Sequence, residues 1–156
     1  MAEQWLIDGY NLLHALQSKT PRKAPLSREQ LFAQVAEFAS LKKTHTLLVL
    51  DGVGDEGELR AYRTGYFEAI FSQSVSADAC IEKYLFQHRQ TQSLVVVTDD
   101  RAISNMGRGG GARVLSTSMF AKMLKECAKE ASDVLHKEKS REHGFHRPFD
   151  DKLKDR

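Results

Sequence analysis

Three observations predict an α/β fold, a three-layer α/β/α sandwich around a mainly parallel central sheet. Short aliphatic and β-branched runs recur along the chain, and amphipathic helical patterns lie between them. The runs are also continuously apolar instead of alternating, as strands covered on both faces are. Strands that alternate with helices pair in parallel through right-handed crossovers, which leaves helices on both faces of the sheet.

The first run is WLID at 5–8, which ends in Asp8 and turns at once through Gly9, Tyr10 and Asn11 into another apolar pair. LSREQLFAQVAEFASLKK (26–43) predicts a helix. Ser27 stands as its N-cap, Gln30 follows three residues later, and Leu31, Val35 and Phe38 recur at helical spacing. TLLVLD at 46–51 is the next strand, and YFEAIFSQS (66–74) supplies another. SADACIEKYLFQHR (76–89) predicts a helix capped by Ser76, with Cys80, Ile81, Tyr84 and Leu85 along one stripe. SLVVVTDD (93–100) and the weaker ARVLS (112–116) are the remaining strands. STSMFAKMLKECAKEA (116–131) closes the pattern as a helix that turns Met119, Phe120, Met123, Leu124 and Cys127 inward. There is no internal repeat.

A chain of 156 residues is long enough for one domain with a full core and short for two. Hydrophobic residues at 41% and charged residues at 28% exclude wholesale disorder. No apolar run approaches the roughly 20 residues that span a bilayer, and MAEQW lacks the start of a signal peptide, so a cytoplasmic protein without a membrane partner is expected. Cys80 and Cys127 lie far apart with no CxxC and no His at ligand spacing, which points to buried thiols, not to a disulfide or zinc. A net charge of +2 does not announce a nucleic-acid binder; placement of charge has to do so. From about residue 129 the composition becomes mixed in charge and poor in large aliphatics. The expected organisation is therefore a domain over 1–128 and a helix end with a charged, flexible tail over 129–156.

Three of the strands end in Asp: Asp8, Asp51, and the pair Asp99 and Asp100. In an open parallel sheet the C-terminal strand ends share one rim, where ligands bind at the switch point of strand order. Asp78 and Glu82 sit at i and i+4 on the helix entered through SAD, on one helix face, and Asp78 lies in its first turn. Each acid alone reads as a turn, cap or solvated charge. Together they read as one acidic site. Like charges about 4 Å apart repel by roughly 4 kcal/mol at an effective dielectric near 20, so a cluster needs protons or a cation. All-oxygen ligands favour Mg²⁺ or Mn²⁺, and a carboxylate-held cation that keeps open positions suits phosphodiester hydrolysis by an activated water.

LIDGYNLL, LLVLDG, SADACIEKYL and VVVTDDRAI, in this order and spacing, resemble the bacterial YacP-like proteins of the NYN group, within the PIN-like nuclease superfamily. The likeness covers roughly residues 5 to 127. It implies a PIN-like fold and metal-dependent ribonuclease activity, with Asp8, Asp78 and Asp100 binding Mg²⁺ or Mn²⁺, and the expected function is a metal-dependent endoribonuclease acting on RNA. It places the functional acid of the third phrase on Asp100 instead of Asp99, a choice the chemistry alone leaves open. Asn11 takes the family's turn Asn and would orient Asp8, while Asp51, Glu82 and Asp99 would shape or extend the site. The loop DGVGDEGELRAYRTG departs from the family in being Gly-rich and acidic where relatives often carry a more basic one.

Phosphate contacts are expected from Arg60, Arg63, Arg101 and Arg108, with Arg60 and Arg63 as one clamp and Arg101 directly after the acidic pair. Tyr10 is a candidate for base stacking, against a packing role. GRGGGAR lacks the GK[ST] ending of a phosphate loop and precedes a strand, so a flexible turn is expected. His143 and His146 resemble a short metal pair without further ligands, and Phe145 and Phe149 suggest that the tail docks a protein partner. The rival reading of the whole chain is a non-catalytic RNA-binding or ribosome-associated adaptor. A phosphohydrolase with Asp51 as nucleophile is disfavoured, because DGV does not supply the Asp-x-Asp that such enzymes need.

Overall fold

A computed structural model of the chain describes residues 3–19, 26–88 and 93–154, with side chains described over 3–17, 26–88 and 93–137. Five strands form one sheet: β1 (Gln4–Asp8), β2 (His45–Leu50), β3 (Phe67–Phe71), β4 (Leu94–Val97) and β5 (Arg113–Leu115). Their order is β3-β2-β1-β4-β5 and every pairing is parallel. Helices α1 (Gly9–Lys19), α2 (Arg28–Lys42) and α3 (Glu56–Arg60) belong to the first half of the chain. In the second half, α4 (Ala77–Gln87) and α5 (Arg101–Gly109) precede the long α6 (Thr117–Lys154). Among the described residues no helix is long and apolar enough to cross a membrane.

Period-2 alternation along the strands divides the core in two. Trp5 and Ile7 face α1, α2 and α6, in one cluster with Leu12, Phe38, Phe120 and Leu124. Leu6 faces the other way, toward α4 and α5, with Val49, Ile81, Val96 and Ile103. The predicted three layers are therefore present. Trp5, Phe38 and Phe120 lock β1 to α2 and α6 with ring centroids 5.1 to 5.5 Å apart, offset or edge-on as aromatic quadrupoles prefer. Asp8 shares the parity of Leu6 and so emerges on the α4 and α5 side.

The caps read from sequence are formed. Ser27 and Gln30 make a reciprocal capping box on α2, and the Ser76 hydroxyl accepts from the Ala79 amide on α4. Beyond the three helices expected, α1, the short α3 and α5 are present. α1 starts at Gly9 directly from β1, and α5 runs into the first three residues, 107–109, of the stretch read as a flexible turn. In α5, Gly107 is buried, and a Cβ there would stand 3.2 Å from Val114, so the glycine permits close helix–sheet packing. The helix ends in a Schellman motif: Ala112 N–H donates to Gly107 O, Gly111 N–H to Arg108 O, and Gly111 takes φ +89°. Gly9 has a similar spatial role. A Cβ would meet the Val49 carbonyl and Leu50 side chain at 3.0 Å, so Gly9 is required by the closeness of α1 to β2.

The last buried side chain described is Cys127; beyond it α6 is exposed to Lys137 apart from half-buried Ala131. The backbone expected to become a solvated tail continues as helix to Lys154. His143, Phe145, His146 and Phe149 lie outside the described side chains.

Candidate active site

Strand order reverses between β1 and β4. β1, β2 and β3 step one way, and the connection through α4 returns the chain to the far side of β1. The C-terminal ends of β1 and β4 flank this switch point, and they carry Asp8 and the Asp99–Asp100 pair.

Each strand-end Asp accepts a hydrogen bond from the N-terminus of a helix. Asp8 Oδ1 accepts from Asn11 N–H at 3.3 Å on α1, and Asp51 Oδ1 from Ala77 N–H at 2.8 Å on α4. Asp100 Oδ1 accepts from Ile103 N–H at 2.9 Å on α5. On α6, Asp99 accepts from Thr117 N–H at 3.0 Å and from the Thr117 hydroxyl. Capping and clustering, alternatives in the sequence, are the same arrangement here. The partial positive charge of four helix N-termini offsets the repulsion of carboxylates at one rim and fixes where they point.

Asp8 is the most enclosed of them, at 3% exposure. The Asn11 side-chain amide donates to its Oδ2 at 2.9 Å. Burial pushes the Asp8 carboxyl up to about 6. The amides of Asn11 and Tyr10 pull it down, while the charges of Asp78 and Asp99 push it up again. Asp78, half-buried in the first turn of α4, is also raised, first by burial and then by Asp100, Glu82 and Asp51. Its side chain accepts no hydrogen bond among the described residues. Asp51, through Ala77, holds the helix turn that carries Asp78 against the strand ends. Asp8, Asp51, Asp78, Glu82, Asp99 and Asp100 thus act on one another electrostatically, as the sequence pattern implied.

Asp99 stands apart in having both oxygens engaged on α6. Asp99→Ala is expected to cost about 1 kcal/mol of stability through the lost cap. In thermal melts that is a fall of about 2–4 °C.

The arginines do not gather. Arg101 opens α5 at the rim and is exposed. Arg108 sits in the last turn of the same helix, which runs back toward the start of β5, so it lies at the opposite end of the sheet. Arg63 lines a cleft of about 260 Å³ with His45, Tyr66 and Tyr84, beside the beginnings of β2 and β3, and pairs with Glu68 at 3.8 Å. Arg60 ends α3 and is exposed. A clamp of Arg60 and Arg63 beside the acids is therefore not formed, because the chain between α3 and β3 carries Arg63 to the far end. Arg28, which sequence reasoning passed over, opens α2 and lies 5.8 Å over the ring of Phe71, the last residue of β3. A helix that leads into the start of a strand must begin near the rim, and that rule identifies it.

In kind, the donors suit a hard divalent cation: carboxylate oxygens that raise one another's proton affinity. In arrangement they are not a closed coordination shell, since among the described residues no group of three or more His, Cys, Asp or Glu side chains is placed to hold a metal ion.

A model of the YacP-like NYN domain matches residues 5–156. No curated protein matches the chain. Two crystal structures of Rae1 (YacP) from Bacillus subtilis share its fold. One aligns with a TM-score of 0.72 at 20% identity, covering 97% of this chain and 90% of that one. The other, of a tryptophan-to-leucine mutant, has a TM-score of 0.68 at 23% identity, covering 88% and 84%.

Proposed function

The chain belongs to the YacP-like NYN domain family, a nuclease-like family, and from that premise we propose that it is a divalent-metal-dependent endoribonuclease whose active site is the acidic rim. The observation that carries this reading is the pair Asp8 and Asp78. Both are desolvated, both are pushed up by neighbouring carboxylates, and Asp78 accepts no hydrogen bond from any described group. Such an arrangement is costly in the free protein and becomes favourable when a cation neutralises it.

Asp8, Asp78 and Asp100 would hold Mg²⁺ or Mn²⁺. When bound, the ion supplies a lowered water pKa and charge stabilisation at the phosphate. The chain does the rest. Asn11 clamps Asp8 through its side-chain and backbone N–H groups, Asp51 fixes the turn bearing Asp78, and the cap on Ile103 fixes Asp100. Arg101, beside Asp100, is the cation positioned to meet a substrate phosphate. Glu82, one turn along α4, adds negative charge that strengthens cation binding.

Labelled RNA incubated with the protein is expected to be cut in Mn²⁺ and to stay whole in excess EDTA. Intact RNA in both refutes the enzyme reading. Among the described residues no trio of metal ligands is preformed, which favours the second reading, an RNA-binding adaptor that kept the fold. An adaptor binds RNA equally with and without Mn²⁺ and cuts it in neither.

A further inference from the structure

The rim is acidic, yet several of the exposed large apolar side chains stand on it. Tyr10 is 60% exposed just after β1, Val53 74% exposed after β2, and Val75 50% exposed after β3. The three strands are neighbours, and their ends lie roughly 5 Å apart. Through its side chain Tyr10 makes no hydrogen bond and no ring contact among the described residues. It is the second residue after Asp8, and its amide donates to the Asp8 carboxylate. Its ring is therefore open to a ligand over most of its surface.

Among the described residues, few arginines stand at this end. Arg28 and Arg101 are the arginines that open helices there, against Asp8, Asp51, Asp55, Asp78 and Asp100. A nucleic acid held mainly by its phosphates needs many more positive groups than that. Every base, in contrast, has a face that stacks on an aromatic ring, and stacking does not depend on the sign of the surface potential.

We infer that Tyr10, continued by Val53 and Val75, is a base-contact strip, and that unstacked bases supply most of the substrate affinity at this site. This rests on the ribonuclease reading for its substrate. It adds that the RNA segment entering on the β1–β2–β3 side is unpaired, because paired bases have no free face to lay on the ring. The phosphate beyond the Tyr10-stacked base then falls toward Asp8 and Asp100.

The test is equilibrium binding in EDTA, where nothing is cut, using a short single-stranded RNA with one 2-aminopurine and the same sequence as a duplex. The single strand is expected to bind with quenching of the 2-aminopurine, and the duplex at least tenfold more weakly. Tyr10→Ala should weaken single-strand binding roughly 5- to 100-fold, the loss of one base stack, and Tyr10→Phe should restore it to within about twofold. With about two phosphate contacts, log K against log salt should have a slope no steeper than about −1.4. Equal binding by Tyr10→Ala, a preference for duplex, a much steeper slope, or no binding by the wild type overturns the inference. Cleavage in Mn²⁺ is scored separately. Tyr10-dependent binding without cleavage keeps the strip and removes the enzyme, whereas cleavage indifferent to Tyr10→Ala does the reverse.

Discussion

Asp8→Asn is expected to abolish metal-dependent RNA cleavage while making the metal-free protein more stable. A carboxyl held near 6 instead of its ordinary 3.8 is ionised in the fold at neutral pH only at a cost of about 3 kcal/mol. Asn keeps the size and an oxygen for the Asn11 amide, and carries no charge to desolvate. Allowing for an imperfect match to the Asn11 side chain, a gain of about 2 kcal/mol is expected, which raises the melting temperature by roughly 4–8 °C in EDTA at pH 7.5. Cleavage should fall by at least 100-fold, the upper end of what losing an outer-sphere partner of a metal ligand costs. Thermal melts and timed cleavage of a labelled RNA, on the same preparations, read both effects. A stability gain with loss of activity is the signature of a residue kept for chemistry. A large loss of stability would instead make Asp8 a structural cap.

The second large effect is a dependence of stability on pH and Mn²⁺ together. Between pH 3.8 and 6 the folded protein holds a proton on Asp8 that the unfolded chain has released. Stability therefore falls as pH rises through that window, by about 3 kcal/mol in total, and the penalty is complete above it. The raised Asp78 carboxyl adds to the fall in the same direction. A divalent cation bound by the ionised cluster removes the penalty. Mn²⁺ at a hundred times its dissociation constant should add about 2.7 kcal/mol at pH 7.5 and close to nothing at pH 4, where the cluster is protonated. Melting curves with Mn²⁺ and with EDTA at the two pH values measure this. Equal Mn²⁺ effects at both, or the same shift in Asp78→Asn as in wild type, would detach the cation from the acids.

Much of the fold was legible because its signals are local. Continuous apolar runs gave four of the five strands, with YFEAIFSQS as the further candidate that became β3, and Ser27 and Ser76 announced helix starts through their own capping chemistry. α3 was not predicted as a helix, and α1 and α5 were not read for a common reason. Their caps are Asp8 and Asp100, residues already spoken for as strand ends, so no separate Ser or Thr marked a start. The glycines of GRGGG looked like a turn; Gly107 is there because the helix lies against Val114 and Val96. The acids were legible because a parallel sheet must bring its strand ends together. That each also caps a helix was not, since capping depends on which amide comes within reach. Arginine positions failed for a directional reason. Residue spacing says that Arg108 follows Arg101, whereas the helix between them carries it to the other end of the sheet.

The central claim is that the carboxylates at the rim cut RNA, and Asp100 offers the cleanest probe. Asn is as good an N-cap as Asp, so Asp100→Asn can keep the Ile103 hydrogen bond and the start of α5 while removing the charge. Total RNA is incubated with wild type or Asp100→Asn in Mn²⁺, and the new ends are mapped. Discrete new ends with the wild type that are absent with the folded variant are the predicted result. Intact RNA with the wild type, or the same ends at the same rate with Asp100→Asn, would contradict it.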